Sequence, residues 1–128
     1  MSLEENKAVV RRSIEAFNAK DLSAADVYSQ DLQRELQQYV DTMPWADHQV
    51  DITDMIAEGD RVVALIATQG VHSGEYQGMP PTGKHFTNRG AVVYRLQGGR
   101  ITEMGTYLDS LTVVKQLGGT ILAPAESG

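Results

Sequence analysis

Apolar residues recur at helical spacing through the first third of the chain and at strand spacing through most of the rest. Val10, Ile14 and Phe17 follow one another at helical intervals with Val9 and Ala16 beside them, and Ser2 with Glu5 has capping-box spacing. This predicts an amphipathic helix ending near Lys20. Ser23 with Asp26 predicts a short second helix, and Leu32, Leu36, Tyr39, Val40 and Met43 form a third apolar stripe that Pro44 ends. After Trp45 the period shortens: Val50, Ile52 and Ile56 alternate with polar neighbours, and Glu58-Gly59-Asp60 turns the chain into Arg61 to Ala67, an apolar run expected to be buried on both faces. His85 to Gln97 and Arg100 to Asp109 read as two further strands joined at Gly98-Gly99, and Ser110 to Leu117 reads as a closing helix ended by Gly118-Gly119. Helices followed by antiparallel strands indicate an α+β architecture with the helices covering one face of a curved sheet. The expected organisation is a single domain over 1–119 and a C-terminal tail over 120–128, which frays or lies across a partner.

Composition narrows the functional classes. The 128 residues contain no cysteine, so disulfides, thiolate metal sites and a cysteine nucleophile are excluded, and a reducing, cytoplasmic location is expected. A net charge of −6 without a basic cluster argues against nucleic acid or an anionic membrane surface as partner. No apolar stretch approaches the length of a membrane span, and the N-terminus lacks the blocks of a signal peptide. His48, His72 and His85 share no metal-ligand spacing, so no metal is expected. Neither a phosphate-binding Gly-x-x-x-x-Gly-Lys-[Ser/Thr] nor a Gly-x-Ser-x-Gly elbow is present.

The densest local signal is Gly70 to Lys84, where four glycines and two prolines surround His72 and Tyr76 and specify one shaped loop, suited to the mouth of a site. An unbroken ladder through the Gly98-Gly99 hairpin would set Tyr94 opposite Glu103, Val92 opposite Gly105, Gly90 opposite Tyr107 and Asn88 opposite Asp109. Asn88, Val92, Tyr94, Tyr107 and Asp109 then share a face that mixes apolar wall with convergent polar groups, as small-molecule pockets do. Asp109 has two readings here: an N-cap of the closing helix, or a pocket carboxyl whose proton is retained by desolvation and which does acid/base work. In the second reading Asn88 and Tyr107 orient it or hold a developing oxyanion. His72, at the start of the shaped loop, either shapes the pocket mouth or bonds loop backbone, and His48, after Trp45-Ala46-Asp47, either satisfies a turn or reaches the pocket.

Asp47-His48, Ile56-Ala57-Glu58-Gly59-Asp60-Arg61-Val62-Val63, the Gly70 to Lys84 loop, Gly99-Arg100-Ile101-Thr102-Glu103, Asp109 and Gln116-Leu117-Gly118 together resemble the SnoaL-like polyketide cyclase family. That family lies within the superfamily of nuclear transport factor 2 and ketosteroid isomerase. The resemblance implies a cone-shaped barrel of N-terminal helices on a mainly antiparallel sheet, a deep apolar cavity, a homodimer, and a hydrophobic carbonyl-bearing ligand. It further implies cofactor-independent acid/base catalysis of an intramolecular aldol closure, with Asp109 as the catalytic group, and the register and loop readings place Asn88, Tyr107, Val92, Tyr94, His72 and His48 in the substrate pocket; isomerisation would use the same groups. The alternative is a noncatalytic ligand-binding or dimeric interaction module, since the fold hosts both. The chain departs from the family pattern between Asp21 and Leu32, where the usual first strand has no counterpart and one wall is either missing or donated by a partner. It departs again at Met104-Gly105, where aromatic residues are usual.

Overall fold

The N-terminal helix forms over Leu3–Asn18 (α1) because its start is chemically finished. There the Glu5 N–H donates to Ser2 Oγ at 3.0 Å while the Ser2 N–H donates to Glu5 Oε1 at 3.2 Å, a complete capping box. The computed structural model describes residues 1–120, and the tail expected from Thr120 onward lies, from 121, outside the described residues. The second helix, α2, spans Gln30–Thr42 and ends before Pro44. No helix starts at Ser23; Leu22–Ala24 is a single 3₁₀ turn, and Asp26 has a left-handed backbone (φ 49°) that stops any continuation.

Four strands, β1 (Trp45–Glu58), β2 (Arg61–His72), β3 (His85–Gln97) and β4 (Arg100–Leu108), form one antiparallel sheet in the order β1-β2-β3-β4, and α3 (Ser110–Gln116) follows. Val9, Val10 and Ile14 of α1 are buried in one core with Val62, Ala64 and Ile66 of β2, Val92, Tyr94 and Leu96 of β3, and Ile101 of β4. The α+β expectation therefore holds: helices cover the concave face of a curved sheet. Only one face of β2 is buried throughout, and Leu65 on the other is 37% exposed, so the run is not sealed on both sides.

Three β-bulges bend the sheet. In a regular strand residues three apart point to opposite faces, yet Trp45 and His48 both face the interior, as do Ile52 and Met55, and Ile101 and Met104. In each case the ladder shifts by one residue between the two. Thr53 and Thr102 are the extra residues at the second and third bulges, and each hydroxyl donates to a carbonyl of the facing strand, to Leu65 O at 3.1 Å and Arg95 O at 3.4 Å. The bulge at Thr102 corrects the unbroken ladder expected for the last hairpin: Arg95, not Tyr94, faces Glu103, and Thr106, not Gly105, faces Val92. Glu103, Gly105 and Tyr107 consequently lie on the outer face, and Met104, Thr106 and Leu108 take the inner one. The bulge at Thr53 likewise turns Ile56 outward, where it is 58% exposed.

The short segment after Asp21 supplies a stub of the missing first strand. Tyr28 bridges Ile101 in parallel, with the Ile101 N–H donating to Val27 O at 2.7 Å and the Ser29 N–H to Ile101 O at 2.9 Å, while Arg100 pairs with Asp26 at 2.9 Å. At the other end of β4, Leu108 lies over Gly90. A Cβ on Gly90 would collide with the Tyr107 carbonyl oxygen and with Leu108 Cδ2 at 2.5 Å. Gly90→Ala is expected to destabilise the fold by about 1–3 kcal/mol through overpacking, measured by urea denaturation; an unchanged midpoint would show that β4 can withdraw freely.

Candidate functional site

The concave face of the sheet, α1, α2 and the loop after β2 enclose a cavity of about 610 Å³. Its wall is aromatic. Trp45 packs on Phe86 at 4.4 Å and on Tyr76 at 4.7 Å between ring centroids, Phe17 meets His48 edge-on at 5.6 Å, and Tyr39 of α2 stacks beside Phe17 at 6.4 Å. At one end Tyr28 donates to Ser13 O at 3.1 Å and Ser13 donates to Val10 O at 2.7 Å, with Tyr94 next to them. Burial raises the proton affinity of the Tyr94 phenol, with a smaller push from Tyr28 and an opposing hydrogen bond from Ser13, so it stays a neutral hydrogen-bonding group. Tyr39 at 45% and Leu108 at 43% exposure mark the opening. Among the described residues, no Asp, Glu, Lys or Arg side chain lines this cavity.

His48 is its one imidazole. The ring is 9% exposed, sits between Phe17 and Phe86, and its Nδ1 has no hydrogen-bond partner among the described residues. Burial first, and the Lys20 ammonium second, lower its pKa to about 4. It is therefore neutral throughout the physiological range.

His72 sits one layer further out. It is fully buried, its ring 5.7 Å from Trp45, and its Nδ1 accepts the Thr82 N–H at 3.2 Å. Its backbone also exchanges bonds with Gly83 and Lys84 at 2.9 Å each, so β2 is paired to the returning end of the Gly/Pro loop. Within that loop Tyr76 and Met79 bond to each other across Gln77-Gly78, both with positive φ (48° and 82°), and Ser73 and Gly74 donate to Pro44 O. The loop is thus folded, and it carries Tyr76 into the cavity wall. His72 holds the loop and does not line the cavity.

Val92, Tyr94 and His48 are placed in the lining and Tyr107 at its rim; Asp109 and Asn88 border a different depression. Asp109 is exposed and is the N-cap of α3: its carboxylate accepts from the Thr112 N–H at 3.1 Å and from the Thr112 hydroxyl. Those bonds, the hydroxyl first, hold it below the usual carboxylate range, the reverse of a desolvated pocket acid. Asn88 is buried on β3, its Oδ1 accepting from the Arg89 N–H at 2.9 Å, and together with Asp109 it borders a separate polar depression that also includes Asp51, Arg89 and Gln116. Tyr107 is 67% exposed, its ring lying 3.5 Å from where a Gly105 Cβ would be, and it reaches only the cavity rim. For Tyr107 and Asp109 the bulge at Thr102 is the physical reason, since it exchanges the faces of the β4 residues; Asn88 keeps the expected face of β3, shared with Phe86, Val92 and Tyr94, and borders the neighbouring depression instead. The strand register also puts Phe86 on the pocket face, whereas sequence reasoning does not single out Trp45, Ser13 or Tyr28, although Ser13, a polar residue within the apolar stripe of the first helix, is a readable signal.

The His48 environment has a measurable consequence. Between about 4 and the ordinary value of 6.5 the folded protein binds fewer protons than the unfolded chain, so stability rises with pH through that window and is lost as pH falls from about 6.5 toward about 4. His48→Gln is expected to flatten this dependence in denaturation measured across pH, and proton NMR of the ring is expected to titrate near pH 4.

The family model of the SnoaL-like polyketide cyclases matches residues 7–117. No curated protein gives a significant match. Among solved structures, AclR from Streptomyces galilaeus, a candidate hydroxylase, superposes with a TM-score of 0.78 at 23% identity over 97% of this chain and 91% of its own. IdmH from Streptomyces antibioticus, a candidate polyketide cyclase, gives 0.74 at 24% over 88% and 98%, and a candidate polyketide cyclase from Acidithiobacillus ferrooxidans gives 0.75 at 26% over 92% and 98%. With the helices, the bulged antiparallel sheet and the enclosed aromatic cavity all in place, the chain belongs to the SnoaL-like polyketide cyclase family and has the nuclear transport factor 2-like fold.

Proposed function

We propose that the cavity binds an uncharged, apolar small molecule carrying a carbonyl or enol oxygen, and that His48 is the group that meets that oxygen. The observation that carries this reading is the lining itself: aromatic walls, neutral hydroxyls and one neutral imidazole, with no charged side chain among the described residues. A charged ligand would leave water without a counter-charge. Burying even a neutral polar group without a partner costs on the order of 2–7 kcal/mol, and an ion costs more. A flat apolar ring system loses nothing comparable and gains contact with Trp45 and Phe86.

Chemically, the family supports a cyclase- or isomerase-type conversion. In such a reaction a C–H proton beside a carbonyl passes to a base, here water admitted through the cavity opening, and negative charge develops on the carbonyl oxygen. An imidazole N–H of His48 donating to that oxygen would stabilise the enolate as it forms, and the neutral ring incurs no cost of removing a charge from water beforehand. Asp109 has no part in this step, because it is an exposed helix cap outside the cavity. The same fact favours a second reading, a noncatalytic carrier, in which His48 only anchors the ligand.

Trp45 is the chain's single tryptophan and lines the cavity, so its fluorescence reports occupancy directly. Neutral 1,8-dihydroxyanthraquinone is expected to quench it, and an anthraquinone sulfonate is expected to bind at least about tenfold more weakly. His48→Leu should weaken the neutral probe by about tenfold, the value of one hydrogen bond, and Asp109→Asn should leave its binding unchanged. Equal binding of both probes, or no effect of His48→Leu, would overturn the assignment. A neutral aryl 1,3-diketone in D₂O separates catalysis from carriage: His48-dependent deuterium exchange between the carbonyls marks proton transfer, and binding without exchange marks the carrier.

A further inference from the structure

His48 occupies a place that a regular strand would deny it. It lies three residues after Trp45 on β1, and both reach the cavity only because the ladder gains a residue between Ala46 and Gln49. At that point Asp47 adopts a left-handed backbone, φ 52°, a conformation disfavoured for any residue with a Cβ. Something must hold the bulge in this form.

The C-terminal corner of α1 is placed to do so. Asn18 uses its side-chain amide as a strand would use its backbone: Nδ2 donates to Val50 O at 2.8 Å and the Val50 N–H donates to Oδ1 at 2.9 Å. This fixes β1 immediately beyond the bulge. Lys20 donates from Nζ to the carbonyl of His48 itself at 3.0 Å, and to Phe17 O at 3.5 Å, with the ammonium 5.2 Å from the Phe17 ring centroid. Phe17, the third member of the corner, packs on the His48 ring. Lys20 also stands where a helix would ordinarily use glycine: its φ is 60°, its N–H donates to Phe17 O at 3.0 Å, and the next N–H, of Asp21, donates to Ala16 O at 3.1 Å. Glycine would close the helix with less strain. What lysine adds is an ammonium that reaches across to β1.

We infer that Asn18 and Lys20 are positioning residues for His48: they clamp the β1 bulge from the end of α1 and so keep the imidazole aimed into the cavity. The clamp rests on the proposed role of His48 for its functional meaning, but its structural effect is independent of any ligand. The charged group bearing on the ring is Lys20 from the end of α1; Phe17 and Phe86 cover its two sides. Removing the ammonium also removes a positive charge that opposes protonation of the ring.

Lys20→Gly separates the clamp from the helix cap, because glycine keeps the left-handed closure and discards the ammonium. In the full chain, Lys20→Gly is expected to leave the unfolding midpoint unchanged or higher, raise the His48 NMR titration midpoint by about half a unit, and weaken 1,8-dihydroxyanthraquinone binding about threefold. Asn18→Ala should weaken the nuclear Overhauser contact between the His48 and Phe17 rings and lower probe affinity further. For the bulge itself, Asp47→Gly should preserve that ring contact, whereas Asp47→Val, whose branched Cβ resists the left-handed region, should lose it. Wild-type ring contacts, titration and affinity in both Lys20→Gly and Asn18→Ala would overturn the clamp. His48→Leu provides the separation from the ligand reading: if it leaves probe binding intact, that reading fails, while the ring contacts still decide whether the clamp exists.

Discussion

The cavity exists because the sheet is bent, and the sheet is bent because three extra residues are inserted into its ladders. A four-stranded antiparallel sheet with the usual twist would lie against α1 and fill its concave face with side chains. Each bulge sharpens the local turn and at the same time sends two residues of one strand, three positions apart, to the same side. One of those pairs is Trp45 and His48, so curvature and two residues of the cavity wall come from a single backbone device. The remaining structure supports it. The helix α1 fills the narrow part of the concave face, the folded loop after β2 leans Tyr76 onto Trp45, and Gly90 leaves room for Leu108, its ladder partner, where a side chain would collide with it.

Most elements were legible in the sequence because they rest on local periodicity. The capping box of α1, the apolar stripe of α2, the Gly98-Gly99 hairpin and the closing helix each occupy consecutive residues and leave a pattern there. The bulges leave none. Thr53 and Thr102 are ordinary strand residues, and what makes them extra is the position of the strand opposite. For the same reason Asp109 supported two incompatible readings: its sequence position suits a helix cap and a pocket carboxyl alike, and the single residue inserted at Thr102 decides between them. Family motifs could not settle this either, since a motif fixes order along the chain and the face is set by register.

The cavity was the least legible feature, because its wall is collected from nearly every element. Trp45 and His48 come from β1, Phe86 and Tyr94 from β3, Ser13 from α1, Tyr28 from the stub beside β4 and Tyr76 from the loop. Individually these read as core aromatics or stray polar residues. Together, among the described residues, they form a space in which every side-chain hydrogen-bonding group is neutral. The electrostatic character of the protein lies elsewhere, in surface pairs such as Arg95–Glu103, Arg95–Asp60 and Arg100–Asp26.

The stub at Val27–Tyr28 has a consequence for how such a cavity can diversify. It touches β4 through one bridge, next to Ile101, and among the described residues the rest of that strand's outer edge continues toward the cavity opening without a neighbour in the sheet. Residues added between Asp21 and Gln30 would extend this stub along the edge and raise a wall over the opening, while α1, the bulges and His48 kept their places. Cavity depth and ring chemistry are thus encoded in separate stretches of chain, so evolution or a protein engineer can resize the chamber without rewriting its floor.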